Sequence, residues 1–159
     1  MLNIIQKDLI KAFKENEINV LIQQCNCFHT QNAGLAKSIK QEYPEVLNVD
    51  LATPYGDKSK LGTFSYAMPD RKNINQTGYI INLYGQYRYG KGLQTDYDAQ
   101  RKGLNKIAEF LSCQGTLETI RVGVPLLGCG LAGGDWSIVQ QIIQEELVDK
   151  GFSVSVYTL

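Results

Sequence analysis

A glycine-rich stretch at residues 124–136, VPLLGCGLAGGDW, constrains the fold of this chain more than any other feature. It follows a short apolar run at 120–124, which is typical of a buried strand, and it precedes an amphipathic run at 136–147, which is typical of a helix. The sequence therefore predicts a strand, a glycine-rich turn and a helix in direct succession.

Glycines in this turn favour an anionic ligand. They remove side chains that would hold a ligand off the backbone, and they permit positive φ, so that successive N–H groups can converge on one point. A helix beginning at Asp135 or Trp136 would add the positive end of its dipole. We expect a diphosphate-sized anion here, held by the turn glycines Gly128, Gly130, Gly133 and Gly134.

Two known phosphate loops are alternatives to this interpretation. The P-loop pattern fails because no Lys followed by Ser or Thr comes after the glycines. Residues 128–133 do match G-x-G-x-x-G, the dinucleotide fingerprint. The next predicted strand, at 152–159, carries no acidic residue and no further βα unit follows it, so we expect no dinucleotide fold. A glycine-rich turn that binds nothing is the remaining alternative.

Composition points to a small ligand. At 159 residues the chain suits a single domain, 1–159, with one hydrophobic core. Sixteen basic and 16 acidic residues give zero net charge, so no overall field attracts nucleic acid or an anionic membrane. No export signal and no membrane-length apolar run are evident in the sequence. We expect a cytoplasmic protein, or one in the host cytoplasm if the chain is viral.

The four cysteines are expected to be free thiols in such a compartment. Cys25-Asn-Cys27-Phe-His29 suggests a metal site, but the spacing is tighter than usual and His29 is the only histidine. We therefore expect neither a metal nor a cofactor. A Cys–His nucleophile pair on the same residues and simple packing of the cysteines remain the alternatives.

Alternating apolar patterns along the chain predict an α/β fold. Strands are expected at 1–6, 18–24, 63–68, 78–84, 120–124 and 152–159, and helices after residue 8 and at 34–43, 95–113 and 136–147. Two strands, 63–68 and 78–84, follow one another without a helix, which implies one antiparallel pair. The predicted fold is a three-layer α/β/α sandwich with a mixed, mostly parallel sheet of about six strands.

Polar residues follow the first two strands, where ligands bind in open α/β sheets. Asp8 suits a helix N-cap, and it could also accept a hydrogen bond from an exocyclic amine such as that of adenine. Asn26, His29, Thr30 and Asn32 follow the second strand and are candidates for hydroxyl and phosphate contacts. The alternative for such asparagines is that they satisfy their own turns.

A third loop, at 84–92, combines aromatic residues with glycine. It could be a plain surface loop. It could also be a flexible lid, with Tyr87 or Tyr89 stacking on a sugar or base and Arg88 near phosphate.

Five short motifs lie at intervals along the chain: IQKDL at 5–9, CNC at 25–27 with AGLA at 33–36, INLYG at 81–85, PLLGCGL at 125–131 before Trp136, and VYTL at 156–159. Together they resemble the macro domains, a family of ADP-ribose-binding modules with the fold class predicted above. The resemblance covers essentially the whole chain. The most similar branch contains ADP-ribose 1''-phosphate phosphatases and the terminal ADP-ribose protein glycohydrolase, and small phage and bacterial macro proteins are also similar.

The resemblance implies a role for each matching residue. Asp8 would hold the adenine amine with Leu9 beside it, and Tyr157 would lie near the adenine face. Asn26, Ala33 and Gly34 would border the distal ribose. The stretch that would wrap the diphosphate contributes Leu126, Gly128, Cys129, Gly130, Leu131 and Ala132.

The chain departs from these relatives at positions that matter for catalysis. Ala132 replaces an aspartate of the glycohydrolase branch, and its catalytic lysine is replaced around Gln86. Residues 31–32 are Gln-Asn where Met-Gly is common. Gln23 stands where phosphatase relatives carry a histidine, and His29 lies close enough in sequence to substitute for it.

The predicted function is hydrolysis of a small ADP-ribose derivative, foremost of ADP-ribose 1''-phosphate to ADP-ribose and phosphate. Asn26, His29 and Asn32 are the predicted catalytic residues, positioning a water or the leaving oxygen. Two alternatives remain open: a module that binds ADP-ribose or a signalling nucleotide without turnover, and a deacylase or glycohydrolase that removes ADP-ribose from a macromolecule. In every case the expected partner is ADP-ribose or a derivative of it.

Overall fold

A computed structural model describes residues 2–159, so Met1 of the predicted first strand lies outside the described residues. Six strands form one sheet: β1 (Asn3–Gln6), β2 (Val20–Cys25), β3 (Phe64–Ala67), β4 (Tyr79–Tyr84), β5 (Arg121–Val124) and β6 (Ser153–Thr158). Their order is β1-β6-β5-β2-β4-β3. All neighbours are parallel except β3 and β4, which confirms the mixed, mostly parallel sheet.

Five α-helices surround this sheet: α1 (Leu9–Lys14), α2 (Gly34–Glu42), α3 (Glu45–Leu51), α4 (Tyr97–Ser112) and α5 (Trp136–Ile143). The sequence predicted four, because the predicted helix at 34–43 ends before Pro44 and no separate helix was predicted after that proline. Pro44 also starts α3, since proline has no N–H to lose in the first turn of a helix. The last predicted helix is α-helical only to Ile143 and continues as a π-helical turn over Gln144–Val148.

The helix that was predicted from residue 95 begins two residues later, at Tyr97. The residue that caps it is Asp96, whose carboxylate accepts from the N–H of Ala99 at 3.0 Å. Thr95 instead donates its hydroxyl to the carbonyl of Gly128 at 2.6 Å. The threonine therefore links this helix to the glycine-rich stretch.

Two buried clusters lie on opposite faces of the sheet and give the predicted three layers. Ile22 and Leu83 pack with the apolar faces of α4 and α5, whereas Leu21 and Ile80 pack with α1, α2 and α3. This alternation along β2 and β4 follows from the two-residue period of strands. It also sends Gln23 and Gln24, at the end of β2, to opposite faces.

The segments that follow β1, β2, β4 and β5 emerge at one edge together with the end of β6, because the carboxyl ends of parallel strands lie together. Among residues 2–159, no helix combines the length and apolarity needed to cross a bilayer.

Candidate functional site

A pocket of about 990 Å³ opens at this edge of the sheet. Its wall is built from residues 7–9, 23–26, 30, 32–36, 86, 89–91, 125–126, 128–132 and 157–159. The residues that the resemblance implied as ligand-binding all line it, and so does the predicted catalytic residue Asn32. Gly133 and Gly134, which were expected to help hold the anion, do not line it.

One end of the pocket is formed by Asp8 and Tyr157. Asp8 caps α1, since its Oδ1 accepts from the N–H groups of Ile10 at 2.9 Å and Lys11 at 3.4 Å. No contact within residues 2–159 uses its Oδ2, which remains free for a ligand. The capping and ligand-binding interpretations of Asp8 are thus compatible.

Tyr157 is held in a fixed position at the same end. Its ring is buried, and its hydroxyl donates to Glu17 Oε2 at 2.6 Å. Glu17 accepts in turn from Lys7 Nζ at 3.0 Å, and Lys7 itself lines the pocket. The hydrogen bond from Tyr157 and then the contact with Lys7 lower the pKa of Glu17, so this carboxylate is charged at neutral pH.

The glycine-rich loop folds back on itself beside this end. The N–H of Gly134 donates to the carbonyl of Gly128 at 2.8 Å, and that of Gly133 to Gly130 at 3.0 Å. Only Gly128 (φ 70°) and Gly133 (φ 74°) among the four loop glycines need positive φ. The N–H groups of residues 130–132 donate to no acceptor within 2–159, and a Cβ at Gly130 would meet nothing within 4 Å. The loop thus offers unpaired donors at an open position.

The predicted contribution of the α5 dipole is wrong. Asp135 caps this helix with its own carboxylate, which accepts from Ser137 N at 2.9 Å and Ser137 Oγ at 2.7 Å. Residues 133–136 do not line the pocket. The first turn of α5 is therefore satisfied internally and lies away from the site.

A glutamine network, which sequence reasoning missed, fixes the glycine-rich loop to the sheet. Gln24 Nε2 donates to Gln86 Oε1 at 2.9 Å and to Thr95 Oγ1 at 3.0 Å. Gln100 Nε2 donates to Gln24 Oε1 at 2.9 Å and to the carbonyl of Leu127 at 3.2 Å. The one sequence signal was the pair of glutamines at 23–24 within an apolar strand.

Gln86 occupies the position where the glycohydrolase branch was expected to carry its lysine. Its Nε2 donates to the carbonyl of Arg88 at 2.8 Å while its Oε1 accepts from Gln24. Both ends of this neutral amide are occupied, so Gln86 acts as a structural bridge between β2 and the loop after β4.

The loop after β2 brings Asn26 and Asn32 to the pocket in different ways. Asn26 is buried and satisfies its own turn: its Nδ2 donates to Thr30 Oγ1 at 2.5 Å, and its Oδ1 accepts from the N–H of Phe28 at 2.8 Å. Asn32 is exposed and accepts from Lys40 Nζ at 2.9 Å. A ligand would contact Asn32 more readily than Asn26, because the amide of Asn26 is already hydrogen-bonded within its own turn.

His29 is not at the pocket, contrary to the sequence-based prediction. Its backbone is left-handed (φ 58°), and its Nε2 lies 2.8 Å from the carbonyl of Thr53. The ring packs edge-on against Tyr55 at 5.4 Å. This backbone conformation turns the imidazole away from the ligand side of the loop, so it cannot replace the phosphatase histidine.

The suggested Cys–His pair and metal site find no support in the geometry. Cys25 contacts Gln31 and Asn82, and Cys27 contacts the carbonyl of Gln86. Burial raises the pKa of both thiols and keeps them protonated. Within residues 2–159, His, Cys, Asp and Glu side chains nowhere form a group of three able to hold a metal ion.

The aromatic loop after β4 contributes one of its two tyrosines. Tyr89 lines the pocket and is 63% exposed, so it remains available for stacking. Tyr87 instead donates to the carbonyl of Gly56 at 2.7 Å and packs on Phe28 at 4.9 Å, away from the pocket. Arg88 lies over the same two rings, Tyr87 and Phe28, and not beside a phosphate position.

Behind the loop after β2 lies Asp50, a buried carboxylate that sequence reasoning also missed. It accepts from the hydroxyl of Tyr84 at 2.6 Å and from Gln31 Nε2 at 3.1 Å. Burial, and then the hydrogen bond to Asp50, raise the pKa of Tyr84. These contacts anchor the loop to α3 and β4.

Comparison with known proteins identifies relatives of this arrangement. No family model matches the sequence. The uncharacterised 17.5 kDa protein of the tk-vs intergenic region of Enterobacteria phage T4 is 30% identical over 140 residues, which cover 87% of this chain and 85% of that protein. A DNA ADP-ribosyl transferase–DNA ADP-ribosyl glycohydrolase fusion protein of Thermosipho africanus is 24% identical over 156 residues, and the match spans 39% of that longer protein.

Solved structures show the same fold. The macrodomain of Mycobacterium tuberculosis DarG superposes with a TM-score of 0.73 at 21% identity, covering 100% of this chain and 98% of that one. Thermosipho africanus DarTG in complex with ADP-ribose superposes with a TM-score of 0.75 at 21% identity, covering 99% of this chain and 42% of that one. The chain is thus a relative of the phage T4 protein over most of both lengths, and it has the fold of the macrodomains.

Proposed function

We propose that the pocket binds ADP-ribose. Adenine lies between Asp8 and Tyr157, the diphosphate lies on the N–H groups of residues 130–132, and the distal ribose lies against residues 32–34. The unpaired N–H donors of the glycine-rich loop are the observation that carries this proposal. Successive backbone N–H groups of this kind bind anions without needing a positive side chain.

The two ends of the pocket give the ligand a direction. Asp8 carries a negative charge and a free Oδ2, so it suits an amine donor and repels a phosphate. The opposite end is bordered by exposed neutral residues at 32–34 and by Tyr89. A nucleoside diphosphate with its base at Asp8 and a sugar at the far end satisfies both.

The relatives support the same ligand. The Thermosipho fusion protein is named for adding and removing ADP-ribosyl groups on DNA, and the Thermosipho DarTG structure contains ADP-ribose.

Hydrolysis of ADP-ribose 1''-phosphate is the more specific function predicted from the sequence, and the geometry of the pocket supports it less well than it supports binding of ADP-ribose. Of the predicted catalytic residues, the pocket contains only Asn26 and Asn32, whose amides orient a water but do not take up a proton. The thiol of Cys129 is also at the wall, and burial raises its pKa to about 11. We therefore propose a binding module as the principal function.

The test is calorimetric titration with ADP-ribose, AMP and NAD, beside two activity assays. ADP-ribose should bind more tightly than AMP, which lacks the second phosphate and distal ribose, and than NAD, whose distal ribose carries nicotinamide. Release of phosphate from ADP-ribose 1''-phosphate, or of ADP-ribose from ADP-ribosylated DNA, would replace the binding-only proposal by the corresponding hydrolase. Equal affinity for NAD would contradict the proposed orientation of the ligand.

A further inference from the structure

Gln94 and Thr95, which lead into α4, hold the glycine-rich loop from outside the pocket. Their N–H groups both donate to the carbonyl of Ala132, at 2.8 and 3.2 Å. Thr95 Oγ1 donates to the carbonyl of Gly128 at 2.6 Å. Neither Gln94 nor Thr95 lines the pocket. These two residues therefore fix the loop at both ends of the stretch whose N–H groups donate to no acceptor within residues 2–159.

Two glycines that do not line the pocket, Gly133 and Gly134, serve the packing of this loop. A Cβ at Gly133 would lie 2.8 Å from the carbonyl oxygen of Gly92, and a Cβ at Gly134 would lie 2.5 Å from that of Gly128. Both separations are shorter than van der Waals contact, so only glycine allows the backbones to approach this closely. Gly133 thus lets the loop lie against the segment before α4, and Gly134 lets it close on itself.

The direction of the hydrogen bonds at Thr95 is fixed by its neighbours. Because the carbonyl of Gly128 can only accept, the proton of the Thr95 hydroxyl lies on this bond. The hydroxyl oxygen then accepts from Gln24 Nε2 at 3.0 Å, and the same amide nitrogen donates to Gln86 Oε1 at 2.9 Å. Thr95 is 5% exposed, so water has little access to these bonds. Its hydroxyl therefore belongs to the frame of the loop and not to the wall of the pocket.

We propose that Thr95 is a positioning residue, which raises the affinity of the loop for a diphosphate without contacting it. This inference rests on the proposed function. A loop that is ordered before the ligand arrives loses little conformational entropy on binding, so more of the interaction energy appears as affinity. Without the Thr95 hydroxyl, the carbonyl of Gly128 would keep only the N–H of Gly134, at 2.8 Å. Binding of phosphate groups should then weaken, whereas contacts of a base with Asp8 should not.

Thr95→Val tests this inference, because valine keeps the branched shape of threonine and lacks the hydroxyl. The Kd for ADP-ribose should rise about three- to tenfold, the loss of one hydrogen bond, while the Kd for adenosine, which has no phosphate, should not change. Thr95→Ser keeps the hydroxyl and should retain most of the parent affinity for ADP-ribose. A purely structural role of Thr95 would lower the midpoint of thermal unfolding of Thr95→Val and leave the ratio of the two Kd values unchanged.

Thr63→Val is the matched control. Thr63 Oγ1 donates to the carbonyl of Lys60 at 2.6 Å, the same distance as in the Thr95 contact, and neither residue of this pair lines the pocket. The ratio of the Kd values for adenosine and ADP-ribose should therefore remain that of the parent. An unchanged ratio in Thr95→Val, or an equal change of the ratio in Thr63→Val, overturns the inference. A parent protein that does not bind ADP-ribose refutes the proposed function instead.

Amide hydrogen exchange in the ligand-free parent protein covers the case in which Thr95→Val does not fold. If the loop is held before the ligand binds, the N–H of Gln94 stays bonded to Ala132 and the N–H of Gly134 to Gly128. These two amides should then exchange at least about tenfold more slowly than the unpaired amides of residues 130–132. Equal exchange rates for all of them overturn the inference, because the loop would then be ordered only by its ligand.

Discussion

Gly130→Glu should abolish ADP-ribose binding without unfolding the protein. Gly130 does not have positive φ, and a Cβ there would meet nothing within 4 Å, so the backbone accepts a side chain without strain. The new carboxylate would lie about one side-chain length from the proposed diphosphate position. Two charges 4 Å apart repel by about 4 kcal/mol near a protein surface, which corresponds to roughly a thousandfold in Kd.

The assay is a titration of the variant with ADP-ribose, together with thermal unfolding in the absence of ligand. Gly130→Gln, which adds similar bulk without charge, separates steric from electrostatic loss. Raising the salt concentration should restore part of the affinity of Gly130→Glu but not of Gly130→Gln, because salt screens only the charge. A Gly130→Glu variant that unfolds like the parent and binds ADP-ribose as tightly would show that the glycine-rich loop is only a turn.

Three further predictions follow from contacts at the site. Asp8→Asn keeps an N-capping side chain, so its free energy of unfolding should stay near that of the parent while its binding of ADP-ribose weakens by about 1–3 kcal/mol. An unchanged affinity for ADP-ribose would show that Asp8 only caps α1. Gly128 has φ 70°, and Gly128→Ala places a Cβ 2.7 Å from Thr95 Oγ1. Denaturant unfolding should show that this variant loses about 1–3 kcal/mol or more of its free energy of unfolding, whereas the free energy of unfolding of Gly130→Ala should be close to that of the parent. The pKa of Glu17 is lowered from 4.5 in the folded state, so its contribution to stability is present above pH 4.5 and is lost as the pH falls through the lower folded value. Glu17→Gln should therefore flatten the dependence of the free energy of unfolding on pH in that range. An unchanged pH dependence would contradict the role given to Tyr157 and Lys7.

Much of the fold could be predicted from the sequence because its signals are local. The alternating apolar runs of β2 and β4 and the apolar face of α4 each follow a single period over several residues. The antiparallel pair followed from the absence of a helix between β3 and β4. By contrast, α3 was missed because its seven residues lie directly after a proline, which marks the end of one helix and can also begin another.

The pocket was predicted better than the directions of its side chains. Glycines and strand ends set the backbone path, so the wall residues from Gly128 to Ala132 were found. The direction of His29 depends on a left-handed backbone at that one residue, which no pattern marked. The glutamine network joins Gln24 to Gln100, 76 positions apart, and only the folded chain brings them together.

A crystal structure of the protein with ADP-ribose is the most direct test of the proposed binding mode. We predict diphosphate oxygens within about 3.2 Å of the N–H groups of residues 130–132 and the adenine amine within hydrogen-bonding distance of Asp8 Oδ2. A nucleotide bound in the reverse direction, or a soaked crystal whose pocket holds no nucleotide although ADP-ribose is in excess, would contradict it.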